Sequence, residues 1–362
     1  MNISNIGLAF EQEYERKRKA QKRPTVLVAG YTGSGKTSLM QAICGKNVVP
    51  DDRIGDGLPK TDAFDFYEDD LIRFFDSKGL EPGVSEAAFT DEAKRFTRSL
   101  QDDPNVDNHV HLVWYTIQGP GARVTPCDVR LIQEIFPNVI VLITKNDITR
   151  LDQRQAMTDV LTKHGVGRDR ILPCSDSDKD SLIAVVALSY KLLPEAYRDA
   201  FASAQMVDLG RKRARADTII AFAAGGAAAA GAIPLPFSDA FVITPIQIGM
   251  IVGLAILYNE PWETAKASFL PVVAEAAGIM TASSLTKFLP GLGSIINAGV
   301  AFALTGAMGY LVDIYLAARF EARVAGKTPP EFHFDPRAFR DAYKKWRRKY
   351  RGEDAGAGGS TG

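Results

Sequence analysis

The octapeptide GYTGSGKT, Gly30 to Thr37, constrains what this chain can fold into more than any other stretch. It fits the pattern G-x-x-x-x-G-K-[ST], closes the apolar run TVLVAG and leads into the helical stretch SLMQAICG. A strand, a glycine-rich loop and a helix in that order turn backbone N–H groups inward around an anion, at a helix N-terminus that favours negative charge. Gly30, Gly33 and Gly35 supply the curl, with Thr32, Ser34 and Ser38 completing the loop and first helical turn. Lys36 is placed to bridge the β- and γ-phosphates of a nucleotide as a point charge. The Thr37 hydroxyl is placed to take one coordination position on Mg²⁺.

Around that loop, short β-branched runs alternate with helical patterns: LIRFFD at 71–76, HLVWYTI at 111–117, VIVLITK at 139–145 and RILPCS at 170–175. Buried parallel strands with crossover helices read this way, so the predicted fold is an α/β phosphate-loop domain over 24–187. Near residue 190 the strands stop, and a helical connector is expected over 188–216. An all-helical, Ala/Gly-rich domain is expected over 217–336, and a basic aromatic helix over 337–351. The segment 1–23 is predicted as an amphipathic helix packed on the α/β domain, and the small polar tail 352–362 as disordered.

The tetrapeptide TKND, Thr144 to Asp147, ends the apolar strand VIVLI. A carboxylate there accepts two hydrogen bonds from the N1–H and 2-amino donors of guanine, whereas adenine would leave Asp147 unpaired. The methylene stem of Lys145 can lie along the base. Between the two motifs, DSKG (Asp76 to Gly79) ends the strand LIRFF. Asp76 can hold Mg²⁺ through water, and the Gly79 N–H can approach the γ-phosphate closely because glycine has no Cβ. In the intervening IGDGLPKTDAF, Thr61 is assigned as the threonine that closes over the metal. Lys36, Thr61 and Gly79 are thus the expected catalytic contacts, and Thr37, Thr61 and Asp76 the expected metal set.

The order GYTGSGKT, Thr61, DSKG, TKND resembles the Era-like GTPases of the translation-factor-related class, and is similar also to the immunity-related GTPases. The likeness covers about 24–185 and implies a GTP/GDP cycle with Mg²⁺. The sequence departs from the family pattern in three places. Thr144 stands where Asn is usual, which weakens the expected bracing of the base loop. Only CSD (Cys174, Ser175, Asp176) stands for the family's Ser-Ala-Lys, with the Ser175 N–H as candidate for reading guanine O6. Leu80 follows the DSKG glycine where fast GTPases place Gln, so intrinsic hydrolysis is expected to be slow unless another residue or a second protomer positions the water. A nucleotide-dependent homodimer is therefore among the expected partners.

The second half holds long uncharged windows at 218–238, 240–259 and 288–312. The first reaches only about 24 Å before Pro234 at ~1.5 Å per residue, short of the roughly 30 Å hydrocarbon core. The third is long enough to span. Arg211, Lys212, Arg213 and Arg215 before the first window and the basic tail after the third favour an even number of crossings. A compact water-soluble helical domain with an Ala-rich core has the same composition. IPLPFSDAFVITPIQIGMI resembles the C-terminal module of unknown function that follows the GTPase domain in many bacterial Era-like proteins. That likeness implies membrane association through 217–320 and the basic tail, at the cytoplasmic face of the inner membrane or in the cytoplasm.

In the tail RAFRDAYKKWRRKYR, Phe339, Tyr343, Trp346 and Tyr350 share one helical face. That face could lie at an anionic membrane surface, stack RNA bases, or pack on the protein itself. Across 362 residues the 43 Lys and Arg balance the 43 Asp and Glu, so nucleic acid is not an expected partner. Cys44, Cys127 and Cys174 match no zinc or redox spacing, and the HVH of 109–111 is read as alternating strand.

Overall fold

The computed structural model describes residues 3–49, 64–77, 85–232, 239–279 and 298–352. The chain forms two compact units, Gln21–Asp208 and Met1–Ala20 with Leu209–Gly362. The opening helix α1 (Ile3–Ala20) therefore belongs to the helical unit, which corrects the expectation that it packs on the α/β domain.

In the Gln21–Asp208 unit, β1 (Thr25–Gly30) leads through the glycine loop into α2 (Lys36–Cys44). There follow β2 (Phe64–Glu68), β3 (Arg73–Ser77), α3 (Glu86–Gln101), β4 (Leu112–Gln118) and the short α4 (Pro126–Arg130). Then come β5 (Val139–Thr144), α5 (Leu151–Lys163), β6 (Ile171–Pro173), α6 (Lys179–Leu192) and α7 (Glu195–Ala204). The strands form one sheet in the order β2-β3-β1-β4-β5-β6, parallel throughout except that β2 runs antiparallel to β3. β1 is buried on both faces. Val26 and Val28 pack with Leu39, Ile43 and Val186, while Leu27 and Ala29 pack with Phe89, Val141 and Leu161. This double covering is why the central runs are continuously apolar rather than alternating.

Three sequence readings change. FDFYE, not among the runs read as strands, is the strand β2; its pairing with β3 buries Phe64 and Phe66 on one face, while Tyr67 on the other packs against the core and Glu68 is exposed. HVH is not strand, since β4 begins at Leu112. His111 Nδ1 instead accepts from the Thr25 N–H at 2.9 Å, and its ring lies 3.8 Å from that of Tyr197. The stretch 188–216 is not one connector: α6 and α7 complete the α/β unit, and the helical unit resumes at Leu209.

The helical unit adds α8 (Leu209–Gly231), α9 (Asp239–Leu257, continuous through Pro245) and α10 (Trp262–Ile279) to α1. It is completed by α11 (Ala298–Val324) and α12 (Pro336–Arg351). The apolar face of α1 is buried: Phe10 and Tyr14 sit 5.6 and 5.2 Å from the Trp262 ring, and Tyr14 donates to the Glu260 carbonyl. Glu260, 1% exposed, is held by Arg319 at 2.7 Å and by Arg323, as a buried carboxylate must be. Among the described residues α11 is the one helix long and apolar enough to cross a membrane, and 78% of its apolar window is buried inside the protein. Asp335 caps α12 and Pro336 opens it. Phe339, Tyr343 and Trp346 are buried, with Trp346 5.5 Å from Phe302, so the aromatic face of the tail helix packs on its own unit. The tail 353–362 lies outside the described residues.

Candidate functional site

The loop between β1 and α2 takes its shape from glycines in backbone conformations that side chains resist. Gly30, Gly33 and Gly35 have φ of 142°, 78° and 89°. At Gly30 a Cβ would also come within 2.3 Å of the Thr116 carbonyl oxygen, so β1 and β4 approach there only because the side chain is missing. The Ser34 and Thr116 hydroxyls are 2.6 Å apart, and Thr116 donates on to the Ala29 carbonyl. Thr32 and Ser38 are exposed on the loop and the first turn of α2.

Lys36 is buried and folds back to donate to the Gly30 and Tyr31 carbonyls, both at 3.2 Å. Burial holds its ammonium below the ordinary lysine value, against the pull of Asp76. Thr37 Oγ1 donates to Asp76 Oδ2 at 3.0 Å. Among the described residues, Asp76 Oδ1 is buried with no hydrogen-bond partner, and so is the neighbouring Ser77 hydroxyl. Burial pushes the Asp76 carboxyl up to about 6, with Lys36 and Thr37 opposing the shift. A buried carboxylate oxygen left unsatisfied beside a threonine hydroxyl is a donor set suited to a hard, oxygen-seeking cation. These residues fit Mg²⁺.

The end of β5 is wired to the same loop. Thr144 Oγ1 donates to the Ser34 carbonyl at 2.6 Å, so the hydroxyl braces the phosphate loop and the expected weakening from the missing Asn is corrected. Lys145 adopts the left-handed conformation, φ 55°, and its Nζ donates to the Gly33 carbonyl at 2.9 Å. Thr149 Oγ1 closes this turn on the Lys145 carbonyl at 2.6 Å, in space that a Cβ on Gly119 would occupy, only 2.1 Å away. Asn146 is held through its N–H by the Cys174 carbonyl and through its side chain by Arg154. Asp147 projects from this turn into solvent.

Cys174 reaches the site only through its backbone. Its side chain is buried in the core, where burial pushes the thiol up to about 12. The Ser175 N–H donates to Ser181 Oγ at 3.1 Å, so the group expected to read the base is already paired, a correction to that assignment. Thr61, Gly79 and Leu80 lie outside the described residues. Thr116, Ser77, Thr149 and Gly119 were not singled out from sequence. Thr116 and Ser77 carried the one available signal, a hydroxyl within or at the end of an apolar strand run.

The strand order, the lone antiparallel edge and the loop after β1 are those of a P-loop GTPase fold, to which a helical region is added. No protein-family model matches the chain. It is 31% identical over 101 residues to magnetosome membrane protein 22 of Magnetospirillum gryphiswaldense, a match covering 26% of this chain. The aligned part spans about half, 52%, of that relative. Among solved structures it is similar to a probable GTP-binding protein EngB, with TM-score 0.37 and 18% identity over 46% of this chain and 97% of that one. It is also similar to Era in complex with MgGDPNP and nucleotides 1506–1542 of 16S ribosomal RNA, with TM-score 0.33 and 21% identity over 48% and 58% of the two chains.

Proposed function

We propose that this chain is a guanine-nucleotide switch: it binds GTP and GDP with Mg²⁺, hydrolyses GTP slowly, and acts at a membrane through its helical unit. The observation that carries the nucleotide reading is the Thr37–Asp76 pair at 3.0 Å, with the second Asp76 oxygen buried and unsatisfied beside a buried Lys36. Thr37 would ligate Mg²⁺ and Asp76 would hold it through water. When bound, the ion neutralises charge on the β- and γ-phosphate oxygens. Lys36 exchanges two loop carbonyls for phosphate oxygens and so keeps its charge compensated in both states. The loop N–H groups from Gly33 to Thr37 orient the phosphates. Thr61 and Gly79 would report the γ-phosphate, and with Leu80 offering no hydrogen-bonding group to the attacking water, turnover is slow.

Base selection falls to the Lys145–Asp147 turn. The bond from Lys145 to the Gly33 carbonyl lays its methylene stem between phosphate loop and turn, and Asp147 carries an exposed carboxylate for the N1–H and 2-amino donors. With the Ser175 N–H engaged, we assign no group to guanine O6.

Membrane action is supported by the apolar length of α11 and by the partial likeness to a protein named for a membrane. The burial of most of the α11 window favours a second reading, in which the helical unit is a soluble interaction or oligomerisation module regulated by nucleotide. Calorimetric titration of GTP, GDP and ATP with Mg²⁺ tests the switch. The expected result is binding of the two guanine nucleotides and not ATP. Asp147→Ala should weaken GTP by roughly a hundredfold, the loss of a charged two-point contact. Asp147→Asn should transfer preference to xanthine nucleotides, whose C2 carbonyl accepts where guanine donates. Equal affinity for ATP and GTP would sink the guanine reading.

A further inference from the structure

The tail helix α12 carries five arginines and three lysines against the single acid Asp341. Its geometry sorts these cations into two sets. Three contact aromatic side chains: Lys345 sits 5.4 Å from the Tyr310 ring of α11, while within α12 itself Lys349 lies 4.5 Å from the Trp346 ring and Arg347 donates to the Tyr343 hydroxyl at 2.8 Å. The other five, Arg337, Arg340, Lys344, Arg348 and Arg351, are exposed, as are Lys345 and Lys349. Their spacings of three, four, four and three set them on one line along the helix, on the side opposite Phe339, Tyr343 and Trp346. The line is about 21 Å long at ~1.5 Å per residue. Asp341 borders it, 3.9 Å from Lys344.

The stripe is held still. Trp346 lies flat over Gly306 of α11, where a Cβ would come within 2.2 Å of the indole, and Phe302 flanks it. A straight row of five cations on a seated helix matches a flat, continuous field of phosphate rather than a partner that must be wrapped. Phe339, Tyr343 and Trp346 are buried and not available to stack on bases, and the half-exposed Tyr350 rests 5.2 Å from Phe302, which leaves little of the aromatic face that would favour single-stranded RNA.

We propose that the outward stripe of α12 is an electrostatic dock for the headgroups of an anionic lipid bilayer, with Phe339, Tyr343 and Trp346 kept out of the membrane. The proposal rests on the membrane reading above and specifies which surface meets the membrane and by what force. The five cations lie within one Debye length of a contacting surface, about 10 Å at 0.1 M salt, and each contributes about fivefold to partitioning.

The test is flotation of the full-length protein with vesicles of phosphatidylcholine alone or with one quarter phosphatidylglycerol, at 0.05 and 0.5 M NaCl. The variant is Arg340→Gln, Lys344→Gln and Arg348→Gln together. These positions are exposed and glutamine is a good helix former, so its melting temperature and nucleotide binding should match wild type. The expected result is salt-sensitive binding to anionic vesicles, reduced roughly a hundredfold in the variant. Salt-resistant binding to both vesicle types, equal in the variant, would overturn the dock while leaving the membrane reading intact. Binding to neither vesicle would overturn both. Preference for a single-stranded RNA over anionic vesicles, lost in the variant, would assign the stripe to nucleic acid and overturn the proposal.

Discussion

Asp76 is a carboxylate held where burial disfavours its charge, and that cost is visible in its proton affinity. Its folded-state pKa, about 6, lies above the ordinary carboxylate value, so between about pH 4 and 6 the folded protein keeps a proton that the unfolded chain has released. The contribution to apoprotein stability therefore falls as pH rises through that window, and the full penalty stands at pH 7. Asp76→Asn should raise the stability of the nucleotide-free protein at pH 7 by on the order of 2 kcal/mol while removing at least tenfold of Mg²⁺-dependent nucleotide affinity. Urea melts with and without nucleotide check this; an apoprotein no more stable than wild type would refute it. In the wild type, Mg²⁺-dependent affinity should decline below about pH 6 as a proton competes for the same oxygen. At this scale the sequence was most informative, because Gly30, Lys36, Thr37 and Asp76 act through local geometry that a short motif encodes. It was least informative where two distant side chains meet. The Ser34–Thr116 hydroxyl pair and the Thr149 hydroxyl over Gly119 depend on β4 and β5 lying beside the loop, which no local pattern states.

Among the elements, α11 and α12 show how one missing side chain sets a contact. Replacing Gly306 by Ala in a helix ordinarily gains about 1 kcal/mol from propensity. Here the added methyl would meet the Trp346 indole at 2.2 Å, and overpacking costs about 1–3 kcal/mol. Gly306→Ala should thus lower stability by about 1 kcal/mol, and adding Trp346→Leu should recover part of the loss. Thermal unfolding of the two variants measures this; a stabilised single variant would mean that α12 is not seated on Gly306. The central strands were legible because burial on both faces leaves continuous β-branched runs. FDFYE did not stand out as a strand because Asp65 and Glu68 interrupt its apolar residues at the edge of the sheet. HVH misled for the opposite reason. It alternates like a strand, but His111 uses its ring to cap the start of β1 and is kept neutral by burial, its pKa pushed down to about 4.

For the whole molecule, the division at Asp208/Leu209 separates a continuous unit from a discontinuous one. Residues 21–208 should fold alone and bind GTP within about threefold of full-length affinity, measured by calorimetry on the fragment. A fragment that fails to fold would show that the α/β unit needs the rest of the chain. Deleting 1–20 should leave nucleotide binding intact but destabilise the helical unit, since it strips Phe10 and Tyr14 from the Trp262 face. The composition shift near residue 190 falls short of the division at Asp208/Leu209, because α6 and α7 still belong to the α/β unit, and the assignment of α1 could not be read, because an amphipathic helix does not name the surface that covers it.

That assignment has a consequence in time. Tyr14 finds its partner at Glu260, a sequence separation of 246. At roughly 5–20 residues per second of synthesis, α1 waits about ten to fifty seconds outside the ribosome before α9 and α10 can receive it. Throughout that interval Ile6, Phe10 and Tyr14 form an uncovered apolar ridge, and once residue 208 has been made the α/β unit behind them can close while they still wait. Late in synthesis the nascent chain is thus a finished α/β unit preceded by the sticky helix α1, a form that chaperones would meet before the mature protein exists.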